Sequence, residues 1–502
     1  MWGEKVLSKR EVLFFFVVVS LVYIFPFVHA DYTYVDDSWR SLLLWGEAWR
    51  AQGRVLLEIF IKFLAFNNAS INIFPLPLLI ATFAISLAMT RLTFWFFSQP
   101  RLASCLVVLP ILCSPFFLGN ITYQYDGPGM MLAVVAAIYA VIYGNGGFWL
   151  RGFSIILIVV MLGIYQLTVT VFISLCFVEC VWGVRNKKEM RDVLSILCWR
   201  GLQLVIGGGL YYLAIFQMVV SKRMEFSSFD MRWLEGVTRK YEFSMGKVLE
   251  LVNSGNLYFI IPVLLFSCVG FVMIVVGAIM TYWRPQEKTA AIFFCFCAIP
   301  VLMFSIPGAM LFAAEPYLQA RNYLGFSVVL VFLFLMSYEF LGCLHRALRL
   351  LLVIPILWMF SFCYAYGQII VAKKELEMAV ATFVAYDLVS APELREVEVF
   401  YFIGARSGGN WLPRGYGAKN YMPVLDYILS DSNVLLHANF LTRLGINNVV
   451  DGNRDMFKIA VSGSRDFRSI LDRKFYSIYM SEAGTFLVMK DLDVTDAYLE
   501  RP

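Results

Sequence analysis

What most constrains this chain is the recurrence of uninterrupted apolar runs of about 20 residues, the length a helix needs to cross a hydrocarbon core. Backbone N–H and C=O groups find no water inside a bilayer, so a spanning segment must be a helix or part of a closed barrel. The runs are continuous rather than alternating, which selects helices. Candidate spans fall at 12–30, 72–90, 102–119, 128–144, 150–164, 167–184, 195–219, 257–280, 290–312, 322–341 and 350–370. This predicts an all-α polytopic membrane protein of about eleven transmembrane helices. The apolar stretch from 150 to 184 is too long for one crossing, so it is split at Tyr165-Gln166 as a tight helical hairpin. Of all residues 60% are hydrophobic and only 15% charged, which excludes an ordinary soluble domain. The net charge of +5 is small and dispersed, which argues against a nucleic-acid partner.

Charge sidedness orders the spans. With the N-terminus in the cytoplasm, the inner ends hold fourteen basic residues: Lys5, Lys9, Arg10, Arg91, Arg101, Arg151, Arg185, Lys187, Lys188, Arg191, Arg284, Lys288, Arg346 and Arg349. The short outer loops hold four arginines, Arg40, Arg50, Arg54 and Arg321. This is the asymmetry expected of cytoplasmic loops. Eleven crossings then leave the C-terminal region outside. Val28-His29-Ala30 has the small-residue pattern of a signal-peptidase site, but the apolar run before it exceeds a signal peptide's, so it reads as an uncleaved first span.

The outer ends are chemically richer than the inner ones. Tyr34-Val35-Asp36-Asp37-Ser38-Trp39-Arg40 follows the first span and sets two carboxylates and an arginine at a membrane boundary. Charges kept there make a candidate site. Asp37 before Ser38 also suits a helix start, where a short oxygen-bearing side chain accepts a first-turn amide. Trp39, Leu42, Leu43, Gly46 and Trp49 share a helical face opposite Arg40, Glu47 and Arg50, which predicts an interfacial helix ended by Gln52-Gly53. Val55 to Phe66 is too short to span, carries Glu58 and Lys62 at i,i+4, and reads as a second interfacial helix. Both pieces serve equally as anchors of the first loop or as the frame of an acceptor or lipid groove.

Two further outer ends are polar. Tyr123-Gln124-Tyr125-Asp126-Gly127 precedes one span and Gln166 lies at the hairpin. Glu315, Tyr317, Arg321 and Tyr323 crowd another. Arginine's planar fork matches a phosphate and keeps its charge. Tyrosines and amides suit sugars and equally suit a membrane interface. The loop 221–255 is polar, with Leu234, Val237, Tyr241, Val248 and Leu251 spaced for short surface helices.

Residues 371–502 lose the long apolar runs and gain charge, which makes 1–370 the transmembrane domain and 371–502 a small α/β domain on the outer side. A helix is expected over Glu375–Leu388, a strand over Val397–Ile403, and a hairpin pairing Phe475–Tyr479 with Thr485–Met489 around Ser481–Gly484. Gly404 to Gly409 follows a strand but has neither the dinucleotide nor the P-loop spacing. Asp451-Gly452-Asn453-Arg454-Asp455 begins like a calcium loop, then has Met456 where glycine belongs and Ser462 where glutamate belongs. The ten cysteines lie in or beside apolar runs, and His29, His345 and His437 are scattered, so neither a disulfide framework nor a metal site is expected.

The combination of Asp36-Asp37-Ser38-Trp39-Arg40, Tyr123-Gln124-Tyr125-Asp126-Gly127 and Ala320-Arg321-Asn322-Tyr323 resembles the phage-type glucosyltransferase II family, the serotype-converting O-antigen glucosyltransferases. More broadly, an acidic first outer loop, interfacial helices and many spans resemble the GT-C class of membrane glycosyltransferases. The resemblance covers about residues 10–370 and is carried by short motifs. It implies a sugar, usually glucose, carried on undecaprenyl phosphate, and a lipopolysaccharide O-antigen repeat unit as acceptor. It implies transfer at the periplasmic face of the bacterial inner membrane, with no cofactor, alongside a donor flippase and a donor synthase. On that reading Asp36 or Asp37 is the general base, and Arg321 and Arg40 meet the leaving phosphate. Tyr123, Gln124, Asp126, Gln166, Glu315, Tyr317 and Tyr323 contact substrate. A single displacement inverts the anomeric configuration. The alternatives are a lipid-linked glycan flippase or transporter, which should carry charges along a mid-membrane path, and an O-antigen polymerase or ligase, which should carry an arginine-rich outer loop.

Overall fold

The structure is a computed structural model that describes residues 5–43, 47–219, 227, 232–255, 257–314, 318–404, 418, 421–429, 436–463 and 466–490. Each apolar run of the sequence is helical. The first half holds α1 (Lys9–Ala30), α2 (Asp36–Leu43), α3 (Glu47–Ala51), α4 (Val55–Ala65), α5 (Leu76–Phe96), α6 (Leu102–Val108), α7 (Pro110–Cys113), α8 (Leu118–Ile121) and α9 (Asp126–Tyr143). Then come α10 (Phe148–Ile164), α11 (Val169–Arg185), α12 (Met190–Ala214), α13 (Trp233–Asn253), α14 (Leu257–Thr281), α15 (Pro285–Ser305), α16 (Gly325–Leu344) and α17 (Val353–Ser390).

Among the described residues nine helices, α1, α5, α9, α11, α12, α14, α15, α16 and α17, are long and apolar enough to cross a membrane. The chain is therefore a polytopic membrane protein. Two of the eleven expected spans differ from a plain crossing helix. The run 102–119 is a pair, Leu102–Cys113 and Pro115–Ile121, bent by 40°. Its break falls at Ser114-Pro115, where proline removes an N–H and clashes with the preceding turn. The run 150–164 is α10, only 17 residues long. It ends at Tyr165, whose backbone is extended (φ −154°, ψ 105°), so the long apolar stretch breaks where its length demanded. Both α10 and α11 pack on α9.

By contacts the chain forms two compact units, residues 1–29 with 45–364, and 30–44 with 365–502. In the first unit α5, α9, α11 and α16 bury most of their surface in protein, whereas α12, α14 and α15 present much of theirs outward. That is the division between central and outward-facing helices. Polar side chains tie neighbours together inside it: Ser86 to Ser20 (3.3 Å), Ser267 to Ser337 (2.9 Å), and the Trp182 indole to the Phe96 carbonyl (3.0 Å). The cysteines are all free.

The second unit carries a five-stranded sheet of β1 (Phe400–Ile403), β2 (Val449–Asp451), β3 (Arg468–Asp472), β4 (Tyr476–Ser481) and β5 (Gly484–Met489), in the order β2-β1-β5-β4-β3. The expected hairpin is β4–β5, antiparallel and closed by Ser481 opposite Gly484. β1 runs parallel to both its neighbours. Short helices α18 (Val424–Ile428), α19 (Ala438–Thr442) and α20 (Arg454–Gly463) complete it. Ala460 of α20 packs with Ile403 and Phe486 in the sheet's core. The expected helix over 375–388 is the end of α17, since nothing in Val371-Ala372-Lys373-Lys374 interrupts a helix.

Candidate functional site: a polar cluster at helix ends, and an acidic helix

In the first unit the polar residues expected at the outer ends come together where helices start and stop. Tyr123 and Gln124 lead into α9, whose first residue is Asp126. Tyr165 and Gln166 join α10 to α11, and Arg321 precedes α16. N-terminal helix ends carry partial positive charge from unpaired amides. Asp126 in a first turn is therefore well placed, and so is any anion brought to these ends.

The contacts run in a chain. Asp126 is buried. Its Oδ1 accepts a hydrogen bond from the Trp49 indole, and its Oδ2 lies 3.7 Å from Arg54 Nη1. The Arg54 guanidinium sits 4.9 Å from the centre of the Tyr165 ring. The Tyr165 hydroxyl donates to the Arg321 carbonyl (3.5 Å), and Asn120 Nδ2 donates to the same oxygen (3.0 Å). Arg321 Nη1 donates to the Tyr123 hydroxyl, with the guanidinium 5.2 Å from that ring. Gln124 Oε1 accepts from Asn72 (3.0 Å), and the Tyr323 hydroxyl donates to Ser244 (3.1 Å).

Gln166 joins from the side. Its Nε2 donates to the carbonyls of Gln52 (3.0 Å) and Gly53 (3.3 Å) and meets the Tyr211 hydroxyl at 2.9 Å. Gly53 has φ +73°, a conformation that favours glycine, so the turn from α3 to α4 needs it. Just beyond it Glu58, buried, pairs with Arg50 (3.2 Å) and with Lys62 (2.7 Å), the latter being the expected i,i+4 pair.

Of the expected residues, Tyr123, Gln124, Asp126, Gln166, Arg321 and Tyr323 belong to this unit. Glu315 and Tyr317 lie outside the described residues, as does the 405–409 part of the Gly404 loop. Trp49, Arg54, Tyr165 and Tyr211 were not expected from the sequence to belong to a site. Two signals were present: Arg54 is one of four arginines in the loops expected outside, and Tyr165 sits at the break in the longest apolar run.

Asp36, Asp37 and Arg40 belong to the second unit, on α2. The interfacial helix expected from Trp39 to Trp49 is divided between α2 and α3, with 44–46 outside the described residues. The two acids differ in setting. Asp37 is buried, and its carboxylate accepts the backbone N–H of Tyr34 (3.2 Å), tying down the turn that enters the helix. Asp36 keeps 28% of its side chain exposed and lies 3.6 Å from Arg40, whose side chain is 1% exposed. The guanidinium of Arg40 also covers the Trp39 ring at 5.0 Å. The segment is fixed to the C-terminal residues by Arg443, which donates to Thr33 (2.7 Å) and Ser41 (2.9 Å), and by the Tyr34 hydroxyl on the Ile428 carbonyl (3.3 Å). Nearby, burial and the Glu377 carboxylate hold the Tyr32 phenol well above its usual range, so it stays protonated and donates to Glu377 (3.1 Å). Burial, with Lys373 adding to it, holds the His437 imidazole below its usual range.

Residues 25–338 match the profile of the family described as Glucosyl transferase GtrII. A protein of Salmonella phage P22, described as an uncharacterized 55.3 kDa protein in the gtrB 5' region, is 24% identical over 251 residues, covering 49% of this chain and 47% of that one. The chain thus matches about half the length of that curated relative. No solved structure matches.

Proposed function

The chain belongs to the Glucosyl transferase GtrII family, and from that premise we propose that it is an integral-membrane glucosyltransferase of the serotype-converting type. It moves a sugar, in our reading glucose, from undecaprenyl phosphate to repeat units of lipopolysaccharide O-antigen at the periplasmic face of the inner membrane. The observation that carries the reading is the Arg321–Tyr123 pair, set with Arg54 among helix N-termini at the ends of apolar helices inside the matched region. A lipid phosphate is an anion that stays at a membrane surface, and these are the groups that receive one.

Roles follow from the chemistry of a single displacement. As the sugar leaves, negative charge grows on the lipid phosphate, and preorganised cations lower that barrier. Arg321 takes this role, with Arg54, linked to it through Tyr165, held in line by Asp126. Arg40, buried and paired to Asp36, positions that carboxylate rather than meeting a headgroup. The acceptor hydroxyl must lose a proton as it attacks, and a partly exposed carboxylate serves as general base. Asp36 is assigned to that step and Asp37 to holding the turn. Each assignment rests on the geometry within its own unit. The attack displaces the phosphate with inversion at the anomeric carbon, and no cofactor enters.

The test is reconstitution. Purified protein in proteoliposomes should transfer labelled glucose from glucosyl undecaprenyl phosphate to an O-antigen-bearing lipid, and should not use a nucleotide sugar. Movement of the labelled lipid across the bilayer without a glycosylated product would favour a flippase instead. Joining of unmodified repeat units would favour a polymerase or ligase.

A further inference from the structure

Next to Arg321 the structure leaves polar side chains buried with unmet hydrogen bonds. Gln319 is 4% exposed, yet neither its amide oxygen nor its amide nitrogen has a partner among the described residues. Asn120, fully buried, spends its Nδ2 on the Arg321 carbonyl (3.0 Å) and on Met130 Sδ, while its Oδ1 has no partner there. The Ser114 hydroxyl, at the break of the bent helix pair, is likewise unmatched. Native proteins seldom leave such groups unsatisfied, because burial strips their water without a replacement.

These groups are brought close by the backbone. A Cβ on Gly119 would meet Arg321 N at 3.2 Å and Ala320 Cβ at 3.5 Å, so the 118–121 helix lies close against the 320–322 turn, where a side chain in place of Gly119 would crowd it. Phe116 packs edge-on against Tyr323 on the same side (5.2 Å between ring centres). The break and this irregular turn are both buried in protein, the setting in which non-helical backbone is tolerated at membrane depth.

The unmatched atoms also select a chemistry. A phosphate offers acceptors and wants donors; the oxygens of Asn120 and Gln319 would repel it. A sugar hydroxyl both donates and accepts, which is what a carboxamide pairs with. We propose that Gln319 and Asn120 form the subsite that reads hydroxyl groups of the transferred sugar, beside the arginine that holds its phosphate. This rests on the lipid-phosphate donor proposed above and deepens it: Arg321 and Tyr123 take the charged half of the donor, the amides the neutral half. Sites built to bond a hydroxyl discriminate strongly against ligands that lack it, because their own polar groups are then left unpaired.

The experiment measures binding, so it does not depend on turnover. Purified wild-type protein in nanodiscs is titrated with polyprenyl phosphate glucose and with the same polyprenyl phosphate without sugar. The wild type should bind the glycosylated lipid on the order of tenfold tighter. Gln319→Leu should bind both lipids alike, at the wild type's affinity for the bare lipid. Gln319→Met, unbranched and of similar length, serves as the second variant. Because the amide is unmatched without ligand, both variants should unfold at the same temperature as wild type or higher. A Gln319 variant that keeps the preference for the glycosylated lipid overturns the subsite alone, as does a wild type that binds both lipids equally. A wild type that binds neither lipid overturns the subsite together with the donor reading.

Discussion

Arg321 shows how much one side chain's geometry is asked to do. Its fork donates to Tyr123 while its own carbonyl is held by Asn120 and Tyr165, so both ends of the residue are fixed. Lysine keeps the charge but loses the planar fork. Arg321→Lys should therefore lower transfer from the lipid-phosphate donor by about 100-fold, with Arg321→Ala at least as severe. Rates near wild type in both variants would reduce Arg321 to an interfacial anchor. The acids divide in the same manner. Asp36→Asn should lower O-antigen modification by about 100-fold or more at unchanged protein level, since Asn keeps the size but loses the basicity. Asp37→Asn should lose far less, because an amide oxygen can still accept the Tyr34 N–H. Mass spectrometry of the O-antigen with immunoblotting reads both, and the reverse ranking would exchange the two assignments. Tyr123, Gln124, Asp126, Gln166 and Arg321 were legible in the sequence because polar residues at the ends of apolar runs stand out. Trp49 and Arg54 were not, because their partner Asp126 lies more than 70 positions away and an indole or arginine near a membrane has an ordinary anchoring role.

Helices position these residues, and α9 is held at both ends. Asp126 starts it, and at its other end Arg200 of α12 donates to the carbonyls of Ala140 (3.3 Å) and Val141. The same guanidinium pairs with Glu179 of α11 at 3.2 Å, both side chains buried, and Glu179 Oε1 accepts from Asn145. A cation over the last carbonyls of a helix opposes the negative end of its dipole. Removing one partner of a buried pair strands the other charge. Arg200→Met should thus destabilise the protein by about 3 kcal/mol, while Arg200→Met with Glu179→Gln should recover most of the loss. Thermal unfolding in detergent measures both, and additive losses in the double variant would show that the ion pair does not couple the helices. At this scale the sequence was informative where length alone decided, as at Tyr165, where one apolar stretch exceeds a bilayer. It was silent at Ser114-Pro115, because the run 102–119 has the length of a single span and a proline there is tolerated in membranes. It also placed a boundary near 370, where composition changes, although α17 continues unbroken to Ser390.

For the whole molecule, what composition could not reveal is that residues 30–44 group with the C-terminal region. The contacts responsible join positions 394 and 410 apart in the chain, Tyr34 to Ile428 and Thr33 to Arg443, and no local pattern encodes a partner at that distance. Sidedness, by contrast, is encoded locally, in arginines and lysines counted loop by loop, and the proposed donor depends on it. Undecaprenyl-phosphate glucose presented on the periplasmic side can be used only by a site that opens there. On the proposed topology, the excess of basic residues in one set of loops puts Lys188 in the cytoplasm and Lys419 outside. In a cysteine-free background, single cysteines at these two positions should react oppositely with a membrane-impermeant maleimide on intact spheroplasts. Position 419 should label at once, and position 188 only after permeabilisation. Labelling of 188 and protection of 419 would invert every loop, expose Asp36 and Arg321 to the nucleotide-sugar pool, and remove the reason for a lipid-carried sugar.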